Sequence, residues 1–153
     1  MKNLCTKRGF SLIELMIVVA IIAFLSMISI PSFLRFLAKT KRTEAYVTLR
    51  SLYMAEKAYW AEHNKYTQNL QGAESLGWKP EGMINYSYGF PGTEGQNYFT
   101  GQLKAPASDL SSAHVSPTGF TIAAAGDING DGKSDILTID QDGNIKIVYD
   151  DLQ

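Results

Sequence analysis

The hydrophobic pattern changes character along the chain. From Leu15 to Leu34 no side chain is charged and almost all are apolar, so a helix here has no polar face. Twenty residues of helix rise about 30 Å, the thickness of a bilayer hydrocarbon core. From Arg35 to Asn64 there is no Gly or Pro, and the apolar residues withdraw to one stripe. Ala45, Leu49, Leu52, Ala55 and Tyr59 recur at steps of three and four. That spacing predicts one buried face of an amphipathic helix. Together the two stretches predict a near-continuous helix over residues 10–64. Its first part is apolar all round, and its second part needs a partner within the same chain.

Beyond Asn64 the helical period is lost. Lys65 to Ala105 is turn-rich, with most of its Gly and Pro in "QGAESLGWKPEG" and "FPGTEGQN". Between these, "MINYSYGF" alternates Ile84, Tyr86, Tyr88 and Phe90 on one side and predicts a strand. "KAPASDLSSAHVSPTG" reads as a loop. "FTIAAA", "DILTID" and "NIKIVYD" predict three further strands, the last two joined at Asp142-Gly143, a hairpin signal. The expected fold class is α+β: a long N-terminal helix packed on a C-terminal antiparallel sheet of about four strands. The expected division is a basic leader over 1–9, an apolar helix over 10–34, its amphipathic continuation over 35–64, and a globular head over 65–153.

Pro31 falls inside this helix. It cannot donate to the carbonyl of Met27 and crowds it, so a kink or local melting is expected. Charge adds little to the picture. The net charge of −1 over 153 residues gives no general case for nucleic-acid binding. Lys2, Lys7 and Arg8 precede the apolar run and Arg35, Lys39, Lys41 and Arg42 follow it, so charge counting does not orient the chain in a membrane. The single cysteine, Cys5, lies in the basic leader; a chain cut after Gly9 has no cysteine and forms no disulfide. The run is too long for a secretory signal core and lacks a small-x-small cleavage pattern at its end, which favours a retained anchor.

Glu14 stands at the threshold of the apolar run, where a carboxylate in lipid costs about 2–3 kcal/mol or more. It belongs to a recognisable motif. "RGFSLIELMIVVAII" resembles the type IV pilin signature: a short basic leader ending in Gly, then Phe, a hydroxyl residue, Leu, Ile, Glu and a long apolar helix. Ser11 stands where Thr is more usual. The resemblance covers Lys7 to about Pro31, and the nine-residue leader with Phe10 at the new N-terminus is similar to the type IVa subclass. It implies cleavage after Gly9 by a prepilin peptidase, N-methylation of Phe10, and assembly of many copies into a helical filament. It also implies that Glu14 pairs with the Phe10 amine of a neighbouring copy. In an oily filament core each charge lacks another partner, so the pair would set the axial stagger. Pro31 matches a common proline of the family, near which the helix melts on assembly.

"GDINGDGKSDIL" carries a second chemical signal. Asp127, Asn129, Asp131, the backbone carbonyl of Lys133 and Asp135 can present oxygens around one hard cation, and Gly132 permits the sharp turn. Thr138 at the twelfth position and the strand-like flanks exclude a standard EF-hand. Structural calcium is the expected cofactor, and a metal clip would constrain the segment that a disulfide closes in many pilins.

No Ser/His/Asp elbow, phosphate loop or cysteine cluster is present, and His63 and His114 stand alone, so no enzyme is expected. The resemblance implies a type IV pilus subunit, anchored as a single-pass inner-membrane precursor and then carried in a cell-surface filament. Its implied partners are other copies of itself, the prepilin peptidase, an assembly platform and ATPases. One alternative is a pseudopilin of a type II secretion system, whose major members also carry calcium near the C-terminus. Another, of a different class, is a membrane-anchored calcium-dependent binding domain that forms no filament.

Overall fold

The structure, a computed structural model, describes residues 9–152. The predicted basic leader lies outside them except for Gly9. Helix α1 runs Leu12–His63, followed by six strands: β1 Ser87–Gly89, β2 Tyr98–Phe99, β3 His114–Ser116, β4 Gly119–Gly126, β5 Asp135–Asp140 and β6 Ile145–Tyr149. The chain divides between Phe36 and Leu37 into two compact units, and α1 contributes to both.

In the first unit α1 is long and apolar enough to cross a membrane, and its most apolar window buries none of its surface. Phe10, Leu12, Met27, Phe33 and Phe36 are all well exposed. The helix is unbroken through Pro31, so the local melting that the proline predicts is absent from the single chain. The Ser32 hydroxyl donates to the Ile28 carbonyl at 3.2 Å, a local side-chain bond beside the proline.

In the second unit the α1 residues Ala38, Arg42, Ala45, Leu49, Leu52, Glu56 and Tyr59 are buried at alternating steps of four and three. The predicted stripe is therefore present but differs at one point: Ala55 is only half-buried, and Glu56 takes the inward position. A stripe drawn through apolar residues alone passes over the two charged side chains that lie on it.

The sheet order is β2-β1-β4-β5-β6, with β3 also pairing to β4 and every pair antiparallel. The four predicted strands are all present. β2 and β3 extend the sheet, and β3 lies in the segment that reads as a loop, after a short 3-10 helix at Ala107–Leu110. Strands of two or three residues are too short to show alternation, which is why the pattern passes over them.

β4 is the hub of the sheet. Ile122 opposes Ile139, Ala124 opposes Leu137, and Tyr88 opposes Ala124. These residues join Leu49, Leu52, Tyr86 and Phe120 in one buried core, and Tyr53 of α1 meets Phe120 at 6.0 Å between ring centroids. Ser87, on the alternate side of β1, accepts from Gly101 N–H and donates to the Ala105 carbonyl, so the segment after β2 covers that face. The turn-rich region is stitched by buried Asn97, which accepts from Thr93 N–H and donates to Gln68 and Asn69. Gly89 sits at φ +134°, and a Cβ there would lie 2.3 Å from the Asn97 carbonyl oxygen, so this approach of β1 to β2 requires glycine. The predicted turn closes as expected: Gly143 N–H donates to the Asp140 carbonyl, and the Asp140 carboxylate accepts from Asp142 and Asn144.

Candidate functional site

Two groups of predicted residues fall in separate places. At the start of α1, Ser11 N–H donates to Glu14 Oε2 at 2.9 Å, and Glu14 N–H donates to Ser11 Oγ at 3.2 Å. This reciprocal pair is a capping box, and it satisfies two backbone donors at the helix N-terminus. The S-x-x-E spacing that produces it is legible in the sequence. Gly9 and Phe10 precede the helix and are exposed. A Cβ on Gly9 would touch nothing within 4 Å, so the fold itself does not require glycine there.

The acidic loop joins β4 to β5. Asp127 accepts Gly130 N–H at 2.6 Å and Gly132 N–H at 2.9 Å. Asn129 Oδ1 accepts Asp131 N–H, and Asp131 Oδ1 accepts Lys133 N–H. Gly132 has φ +89°, the left-handed conformation the tight turn needs. These bonds curl the loop so that Asp127 and Asp131 converge. A third carboxylate joins them from elsewhere: one oxygen each of Asp127, Asp131 and Asp151 lie within 4.8 Å of one another.

Asp135 does not join this group. Its carboxylate is fully buried and turned toward α1, where it takes Arg42 through both oxygens, with Arg42 Nε at 2.9 Å from Oδ2. It also accepts the Tyr86 hydroxyl at 2.7 Å and Asp151 N–H at 3.2 Å. Arg42 contacts Asp150 as well. Burial opposes the charge on Arg42, and its bonds to Asp135 and Asp150 outweigh that, so its pKa is raised. The D-x-N-x-D-G-x-x-D spacing alone cannot foresee this, because the partner is 93 residues earlier in the chain.

Asp151 is the residue the sequence reading missed. Asn129 Nδ2 donates to its Oδ1 at 2.9 Å and to its backbone carbonyl at 3.1 Å. Asp151 is 5% exposed, and its Oδ2 is buried with no hydrogen-bond partner. Desolvation, then the charges of Asp131 and Asp127, hold its pKa above the ordinary value. A buried carboxylate oxygen left bare beside two other carboxylates fits a hard divalent cation, which asks for six to eight oxygens. Asp127, Asp131 and Asp151 are the carboxylates brought together there.

An apolar helix start capped by Ser11 and Glu14 and an antiparallel sheet with an acidic loop are the two features to set beside known proteins. The model of the prokaryotic N-terminal methylation motif matches residues 5–30, a span that holds Gly9, Phe10 and Glu14. The chain is similar to the type IV major pilin protein PilA of Myxococcus xanthus, 46% identical over 53% of this chain and 36% of that one. It is similar to the type IV wide pilus major component PilA4 of Thermus thermophilus, 38% identical over 47% of this chain and 55% of that one. It is also similar to the type II secretion system core protein G of Pectobacterium carotovorum, 32% identical over 48% of this chain and 47% of that one. The chain thus spans between about a third and just over half of the length of these relatives.

Proposed function

We propose that the chain is a structural subunit of a type IV pilus, matured by cleavage after Gly9 and methylation of Phe10, and assembled through α1. The observation that carries this is the methylation motif at residues 5–30 on a helix whose apolar surface the single chain leaves bare. About twenty-five residues of unburied apolar helix cannot stay in water at ~25 cal/mol per Å². A membrane covers them before assembly and neighbouring helices cover them afterwards. The capping box does not compete with the Phe10 amine. A carboxylate offers about four acceptor sites, and the Ser11 N–H occupies one. Glu14 can therefore hold its own helix start and take the ammonium of another copy. Pilus assembly would draw on a peptidase, an inner-membrane platform and ATPases. Gly9→Ala tests the processing: the precursor should accumulate with residues 1–9 attached, and surface fibres should vanish. Normal fibres from that variant would overturn the proposal.

A second reading, a pseudopilin of a type II secretion system, is favoured by the similarity to core protein G and by the acidic loop. Long sheared surface fibres support the pilus; their absence, with loss of secretion, supports the pseudopilin.

The acidic loop is the proposed calcium site, held by Asp127, Asn129, Asp131 and the Lys133 carbonyl. Bound metal stabilises the folded head by mass action. Millimolar calcium should raise the melting temperature of the full chain in detergent by several degrees, and a chelator should reverse it. An unchanged melting temperature together with no binding heat would remove the cation from the account.

A further inference from the structure

The C-terminal tail brings two adjacent carboxylates to two different places. Asp150 reaches Arg42 on α1, whereas Asp151 reaches Asp127 and Asp131 in the acidic loop. Asp151 N–H is held by Asp135, which is itself clamped to Arg42, and Leu152 N–H is held by Asp150 at 3.0 Å. Helix, loop end and tail therefore close one circuit through Arg42, Asp135, Asp150 and Asp151.

The two ends of this circuit differ in how their carboxylates are answered. Arg42 is one cation, and it serves both Asp135 and Asp150. The Asp151 carboxylate lies beside Asp127 and Asp131, and one of its oxygens, Oδ2, is buried without a partner. Like charges at this spacing repel, and burial strengthens the repulsion. The Asn129 amide satisfies Asp151 Oδ1 only. The contacts that hold Asp151 in place leave its Oδ2 without a hydrogen-bond partner, in a carboxylate that lies beside the other two.

We infer that Asp151 is the ligand that closes the cation site from the C-terminal tail, so that the ion clasps the tail to the loop while Arg42 clasps it to α1. The inference rests on the calcium reading of the loop and adds what that ion does. Occupancy controls whether the tail lies down. With the ion present, three carboxylates share a divalent charge and the tail is pinned at both ends. Without it, the repulsion from Asp127 and Asp131 loosens Asp151 against the hold of Asn129 and Asp135, and the tail is pinned less firmly. The Asp135 position assigned by the loop spacing is a strut on the α1 side and contributes no ligand.

The test is calcium titration calorimetry on the full chain in a non-ionic detergent, after chelator stripping, with amide hydrogen exchange read over the last six residues. Calcium should slow exchange at Asp151 and Leu152 at least tenfold in the wild type. Asp151→Asn should lower calcium affinity at least tenfold and abolish that slowing, and Asp151→Glu should recover part of both. Calcium binding with equal affinity to wild type and Asp151→Asn, and with protection confined to residues 127–133, overturns the clasp and leaves the loop site standing. No binding to the wild type at millimolar calcium removes the loop site and the clasp together. Should Asp151→Asn not fold, protection of Asp151 and Leu152 in the wild type decides alone.

Discussion

Glu14 does two jobs that one substitution can separate. Its carboxylate closes the capping box with Ser11 and, in the proposed filament, neutralises a neighbouring Phe10 ammonium. Glu14→Gln keeps an acceptor for Ser11 N–H and removes the charge. The helix start should survive, since losing such a cap altogether costs only about 1 kcal/mol, while fibre yield should fall at least tenfold. Yields equal to wild type, counted by electron microscopy of sheared material, would show that the charge is dispensable. The acidic loop illustrates how far single residues are legible. Asp127, Asn129, Asp131 and Gly132 announce themselves by spacing, because a loop that folds on its own backbone carries its own signal. Asp135 and Asp151 do not. Their partners lie far away in the chain, and only tertiary packing decides which carboxylate turns to Arg42 and which to the loop.

The elements follow from the same division between local and distant causes. Residues 38–59 of α1 repeat at three and four, and that period alone places the helix face. It does not reveal that two of the seven inward positions hold ionisable side chains. Arg42 is answered by Asp135 and Asp150. Glu56 is answered poorly: its Oε2 takes Thr67 N–H at 3.4 Å, and its Oε1 is buried without a partner. Burial pushes the Glu56 pKa up to about 8, against which the Thr67 N–H works only weakly. The folded state therefore binds a proton that the unfolded chain releases between the ordinary carboxylate pKa of 4.5 and about 8. Stability falls as pH rises through that window and levels off above it. Glu56→Gln keeps an acceptor for Thr67 and removes the penalty. Its melting temperature should exceed that of wild type by several degrees at pH 8, with the difference shrinking toward pH 4.5. A difference independent of pH would contradict a buried neutral acid at this position. The strands divide similarly. β4, β5 and β6 are long enough to show their pattern, and Asp142-Gly143 marks its hairpin. β2 and β3 exist only because β1 and β4 offer them edges.

At the scale of the molecule the two units do different work. Residues 37–152 bury a core of aromatic and aliphatic side chains shared by α1 and the sheet. The most apolar window of the helix buries nothing of its own, and the proposed membrane and filament are what would cover it. The methylation motif, residues 5–30, lies at this end of the chain, and the proposed calcium clasp lies at the other. The α1 helix that carries Arg42 of the proposed clasp also carries the segment through which the proposed filament joins copies. The measurement that tests this most directly is a cryo-electron reconstruction of surface fibres containing this chain. The account predicts subunits that begin at Phe10, with each Glu14 carboxylate within salt-bridge distance of the N-terminal ammonium of an adjacent copy. Subunits that retain residues 1–9, or Glu14 carboxylates remote from every ammonium, would contradict it.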